Sequence, residues 1–211
     1  MSGVGIRESY DRVAQAYAQQ FSGELEHKPL DRALLAAFAE LVRGRGRVLD
    51  VGCGPGHVSA HLHALGVEVG GLDLSPEMVR VAGERHPAIA FEVGDLSALG
   101  ERSLAGIVAP YSLCHIPPGG LAAAATSLAG ALAPGGWLLT SFHVEHDGPA
   151  QVHRDEWYGQ VVSVDFWFHP LERVVTALAG AGLEVVASGV RRPYVPHEYA
   201  SRRAHVLAQR L

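Results

Sequence analysis

Short apolar runs that alternate with helical stretches constrain the fold of this chain more than any other feature. The runs at 47–51, 67–72, 89–93, 106–109 and 137–142 lack the polar and apolar alternation of a half-exposed strand. Strands buried on both faces read this way. Alternating with helices, they predict a parallel sheet covered on both sides. Ahead of them, Val13, Ala14, Tyr17, Ala18 and Phe21, then Leu30, Leu34, Leu35, Phe38 and Leu41, recur at helical spacing, so two amphipathic helices open the chain before Gly44 and Gly46. Ser75-Pro76-Glu77 supplies a hydroxyl cap, a proline for the first helical position and an acid for the first turn, which predicts a helix to about residue 85. An alanine-rich helix over 121–132 is closed by Ala133-Pro134-Gly135-Gly136. A polar, histidine-rich stretch at 143–158 precedes an extended segment at 161–168, a helix from Pro170 to Ala181, and strands at 183–190 and 204–207.

With 211 residues the chain has room for one α/β domain and a small cap. At 48% hydrophobic and 18% charged it reads as globular, and no apolar run reaches the roughly 18 residues of a membrane span. No membrane association is expected. The start of the chain lacks the apolar core of a signal peptide, and Cys53 and Cys114 fit neither a disulfide framework nor a zinc spacing, so a cytoplasmic protein is expected. The net charge is −5 and the arginines are scattered, where a nucleic-acid enzyme concentrates basic residues to meet several phosphates. No nucleic-acid partner is expected.

The chemistry concentrates at Asp50-Val51-Gly52-Cys53-Gly54-Pro55-Gly56, a strand entering a glycine-rich turn at the head of a helix. Glycines there let backbone approach a ligand closely. About 20 residues later the next strand ends in Asp73, an acid placed to accept from ribose hydroxyls, so a nucleoside ligand is expected. A dinucleotide site needs a further glycine where this chain has His57, and Asp50 would repel a pyrophosphate while attracting an ammonium group.

These residues resemble the class I S-adenosylmethionine (SAM)-dependent methyltransferases, over about 48–142. The resemblance implies a Rossmann-like, doubly wound, mostly parallel seven-stranded sheet with an antiparallel last strand, and an N-terminal helical lid over 1–46 ahead of a SAM-binding domain over 47–211. It implies that Gly52, Gly54 and Gly56 cradle the methionine part of SAM, that Asp50 orients it and that Asp73 binds the ribose. Leu74 and Met78 would flank the adenine, Asp95 and Leu96 would meet its edge, and Pro110 would be a further cofactor-binding residue. Ala133-Pro134-Gly135-Gly136-Trp137 resembles the family's turn before strand five.

The acceptor side is less determined. The fourth strand ends at Ala109-Pro110-Tyr111, without the Asn or Asp that methylases of base amines and glutamine carry there, which argues against those substrates. His115 and His143 are the candidate general bases. Tyr17 on the opening helix is expected to touch the cofactor. Tyr10, Tyr111, Phe142, Trp157 and Trp167 are expected to wall a substrate pocket, the last two from an insertion at about 143–169, which suits a small apolar or aromatic acceptor. His143, Glu145, His146 and His153 follow no ligand spacing, so no metal is expected. Two other functions stay open at this point: a nicotinamide-dependent oxidoreductase, and a SAM-binding protein that transfers no methyl group. The sequence leaves the oligomeric state open.

Overall fold

The structure, a computed structural model, describes residues 4–144 and 150–211. Its elements run α1 (Val4–Phe21), α2 (Pro29–Val42), β1 (Val48–Val51), α3 (His57–Ala64), β2 (Val69–Asp73), α4 (Pro76–Arg85), β3 (Phe91–Val93), β4 (Leu104–Pro110), α5 (Leu121–Ala131), β5 (Leu132–Val144), β6 (Gln151–Trp157), β7 (Gln160–Trp167), α6 (Leu171–Gly180), β8 (Leu183–Arg191) and β9 (Arg202–Arg210). Seven strands form one sheet in the order β3-β2-β1-β4-β5-β9-β8. β1 to β5 pair in parallel, and β9 runs antiparallel to both β5 and β8. This is the doubly wound sheet with an antiparallel last strand that the sequence implies.

The apolar runs are continuous because neighbouring residues feed opposite sides of the sheet. Ile107 and Leu138 join Leu121, Leu128, Val174 and Leu178 of α5 and α6 on one face. Val108 and Leu139 join Leu35, Phe38 and Val42 of α2 and Val58 and Leu62 of α3 on the other. Burying each such side chain is worth about 1.5–3 kcal/mol, so these two layers carry the sheet. α2 therefore belongs to the packed domain, and a boundary at residue 46 does not follow the packing. α1 packs instead on α4 and β7.

α1 rests on two supports. Ala14 and Ala18 pack on Met78 and Val81 of α4, and Val13 packs on Val162 and Val164 of β7. β6 and β7 form a separate antiparallel hairpin, whose turn places Tyr158 and Gly159 at φ 53° and 74°. β6 occupies part of the polar, histidine-rich stretch at 143–158. A register shift between Arg154 and Glu156 breaks its alternation, and its inward positions include Arg154, which lies over the Trp157 ring at 5.1 Å.

Candidate functional site

The five parallel strands end at one edge of the sheet, where an open α/β fold places its ligands. At the end of β1 the chain must turn sharply into α3. Gly52 sits at φ 72°, and a Cβ there would lie 2.3 Å from Ser112 Oγ; Gly56 sits at φ 81° with Phe91 Cζ 2.8 Å from the same kind of atom. No other residue type fits either position without a shift of the surrounding groups.

Two carboxylates flank this turn. Asp50 is fully buried; its Oδ2 accepts from Ser59 Oγ at 2.6 Å, while Oδ1 has no partner. Burial pushes its carboxyl up to about 6 against the pull of the Ser59 hydrogen bond. Asp73 accepts from Gly54 N at 2.8 Å through Oδ2 and from Ser75 N at 2.9 Å through Oδ1, and burial raises it too. Leu74 is half-buried beside it. Met78, expected beside an adenine, is 1% exposed and packed under Ala14 and Ala18 of α1. Asp95 is exposed and caps the short 3-10 helix Leu96–Ala98 by accepting from Ser97 N and Oγ at 2.8 and 2.7 Å, so a turn accounts for its bonds. Leu96 packs against the main core, and Pro110 closes β4.

A cavity of about 590 Å³ adjoins the turn. Tyr17 links the two, since its Cε1 lies 3.8 Å from where a Gly54 Cβ would stand, and its ring meets Tyr10 and Trp157 edge-on at 5.9 and 5.4 Å. Tyr10, Tyr111, His115, His143 and Trp157 all line the cavity. Phe142 does not: it is fully buried in the main core between sheet and helices. Trp167 does not either, because Phe166, its neighbour on β7, takes the inward face.

His115 Nδ1 donates to the Asp165 carbonyl at 3.2 Å, which leaves Nε2 to accept from Tyr10 Oη at 2.9 Å. Burial lowers the His115 imidazole to about 4, and burial with the nearby Arg203 and Lys28 charges lowers His143 to about 3. His143 is held through Nδ1 by Ser201 Oγ at 2.7 Å. One turn of α1 ties the region together: Ser163 N donates to Ser9 Oγ at 2.8 Å, Arg12 donates to the Val161 carbonyl at 2.8 Å, and Asp11 accepts from Ser75 Oγ at 2.5 Å and Glu77 N at 3.2 Å at the head of α4.

Sequence reasoning missed the charged end of this cavity. Lys28 pairs with Glu24 at 2.5 Å, and His57, the first residue of α3, donates to Glu24 at 2.7 Å. Those partners overcome burial and hold the Glu24 carboxyl at about 2. Arg191 grips both oxygens of Glu198 at 2.6 and 2.8 Å and Asp31 at 2.8 Å, while Arg203 lies 3.2 Å from Glu198. No local pattern marks these residues, which converge from α2, the segment before it, β8, β9 and the intervening loop. Among the described residues no group of three or more His, Cys, Asp or Glu is placed to hold a metal ion; Glu145 and His146 lie outside them. No helix among them is long and apolar enough to cross a membrane.

A family model described as a methyltransferase domain matches residues 48–136, which include the glycine turn and the turn before the hydrophobic stretch of β5. The chain is 40% identical over 97 residues to a malonyl-(acyl-carrier protein) O-methyltransferase of Erwinia billingiae (strain Eb661), covering 44% of this chain and 36% of that protein. It is 34% identical over 144 residues to a ubiquinone biosynthesis O-methyltransferase of Xanthomonas axonopodis pv. citri (strain 306), covering 62% and 59%. The chain thus spans between a third and three fifths of these curated relatives. In fold it is similar to the crystal structure of magnesium protoporphyrin IX methyltransferase from Synechocystis PCC 6803, with a TM-score of 0.74, 19% identity and 100% of each chain covered.

Proposed function

We propose that this chain, which belongs to the class I SAM-dependent methyltransferases, transfers a methyl group from SAM to an oxygen of a small molecule with an aromatic or apolar body. The observation that carries the reading is the orphaned Oδ1 of buried Asp50 beside a turn that admits no Cβ at Gly52 or Gly56. A buried carboxylate oxygen without a partner is costly, and an ammonium group satisfies it. The residues present therefore fit SAM, which supplies the electrophilic methyl. Asp50 orients its amino acid end, Gly52, Gly54 and Gly56 let the backbone approach, and Asp73 accepts from the ribose. The names of the O-methyltransferase relatives support oxygen as the acceptor atom.

The protein's remaining work is positioning and exclusion of water. α1 acts as the lid, and Tyr10, Tyr17 and Trp157 hold the acceptor's body. His115, with Nδ1 fixed as donor, presents Nε2 to an acceptor hydroxyl once Tyr10 yields it. An imidazole held at about 4 is a weak base: taking a proton from a phenol near 10 would cost about 8 kcal/mol. The site thus favours acceptors that arrive ionised or nearly so. The two free, buried cysteines suit a reducing, cytoplasmic setting.

Calorimetry with SAM, S-adenosylhomocysteine and NAD, followed by a methyl-transfer assay over phenols, acids and amines, tests this. SAM and S-adenosylhomocysteine are expected to bind and NAD is not. Binding of NAD alone would replace the reading with a nicotinamide enzyme.

A further inference from the structure

We propose that the charged end of the cavity is an anion subsite, built by Arg203, Tyr111 and Lys28, that takes a carboxylate of the acceptor; this rests on the methyltransferase reading only in calling the ligand an acceptor. Arg203 is 3% exposed, and its Nη1 is held by the carbonyls of Tyr199 and Ser201. Its Nε, although 3.2 Å from Glu198 Oε1, makes no hydrogen bond. Tyr111 has a buried hydroxyl with no partner, on a backbone held at φ 59°. Such a conformation is costly for a tyrosine, and it places the ring over Lys28, whose Nζ lies 4.9 Å from the ring centroid. All three residues line the same cavity.

The two groups without a hydrogen-bond partner, the Tyr111 hydroxyl and Arg203 Nε, can both donate, so an acceptor suits them; Lys28, paired with Glu24 at 2.5 Å and 3.6 Å from Glu198, adds its positive charge beside them. An arginine N–H, a phenol O–H and an ammonium together suit the two oxygens of a carboxylate. The neighbouring acids do not fill that role. Asp31 is taken by Arg191, Glu198 by both nitrogens of Arg191 and by Tyr194 N, and Glu24 by His57 and Lys28. Each is spent on a structural pair, and none forms a hydrogen bond with the Tyr111 hydroxyl or with Arg203 Nε, although Arg203 Nε lies 3.2 Å from Glu198. The aromatic walls at the opposite end fix the rest of the ligand as an arene or similar apolar body, giving an aryl or arylalkyl acid.

The test uses benzoate and 3-phenylpropionate against benzamide and 3-phenylpropanamide, titrated by calorimetry into the full-length protein with and without S-adenosylhomocysteine. At least one acid is expected to bind about tenfold or more tightly than its amide, the discrimination a buried charged hydrogen bond gives. Tyr111→Phe is expected to bring the acid to within about threefold of the amide while melting temperature and S-adenosylhomocysteine affinity hold, because the lost hydroxyl bonds to nothing in the protein. Equal binding of acid and amide, no binding of either acid, or an unchanged acid affinity in Tyr111→Phe would overturn the subsite. Failure of S-adenosylhomocysteine to bind in the same titrations would instead strike the methyltransferase reading, leaving the acid and amide comparison to decide the subsite by itself.

Discussion

The proposed cofactor half and the proposed acceptor half of this site share one edge of one sheet, yet they are built in opposite ways. Around Asp50 to Gly56 and Asp73 to Ser75 the working groups are backbone N–H groups and two carboxylates close together in sequence, shaped by glycines at positive φ. The acceptor half is made of side chains that arrive from α1, the segment before α2, the end of β4, β5, the hairpin, and β9 with the loop before it. A ligand common to many enzymes can be held by a local turn, whereas a particular acceptor needs a surface assembled from distant parts. The first kind of site is tolerant of the rest of the fold, and the second depends on it.

The sharpest way to break this division is Phe142→Ala. Phe142, expected as a wall of the acceptor half, is fully buried in the core, so a loss of about 3–5 kcal/mol in stability is expected, read by denaturant unfolding. A Phe142 variant that keeps its stability while losing acceptor affinity would return the residue to the pocket. Next in size, Asp73→Ala should weaken SAM by about 1.5–3 kcal/mol in calorimetry and leave acceptor-analogue binding nearly intact. Equal losses of both ligands would mean that the halves are one unit. Smaller still, Trp157→Ala should lower acceptor affinity several-fold while Trp167→Ala leaves it unchanged, since only Trp157 reaches the cavity. An affinity loss with Trp167→Ala as large as with Trp157→Ala would put the hairpin's inward face in question.

Protons give a further comparison, and there the halves have opposite signs. His115 and His143 are held at about 4 and about 3 against an ordinary 6.5, so the unfolded chain takes up protons first and stability falls as pH drops below 6.5. Asp50, raised from 3.8 to about 6, is protonated first in the folded protein, so its contribution grows as pH falls from about 6 toward 3.8. Two groups outweigh one, and the melting temperature at pH 5 is expected to lie below that at pH 7. Asp50→Asn, which removes the opposing group, should steepen the fall; a shallower one would contradict the Asp50 assignment.

These contrasts also explain what the sequence disclosed. The order of strands and helices was legible because burial on both faces leaves uninterrupted apolar runs, and the glycine turn was legible because its glycines are required by backbone geometry. The same uninterrupted runs hide which face a residue takes, which is why Phe142 read as a pocket wall. Trp167 failed by one step of strand parity, since Phe166 and Phe168 carry the inward positions. β6 was concealed by its bulge and by Arg154. Lys28 and Arg203 stand 175 positions apart by their numbering and meet only through tertiary packing, beyond the reach of any local pattern.

One turn of α1 carries a kinetic consequence. Ser9, Tyr10, Asp11 and Arg12 fasten it at once to the hairpin, to His115 and to the head of α4. Lifting that turn would release every one of these ties, so in the proposed function both ligands would pass through a common gate. On the proposed reading the cofactor sits at the glycine turn beside Tyr17, and the acceptor sits nearer the hairpin. Turnover is therefore expected to be compulsory in order, cofactor first in and its demethylated form last out. Steady-state inhibition by S-adenosylhomocysteine should then be competitive against SAM and noncompetitive against the acceptor.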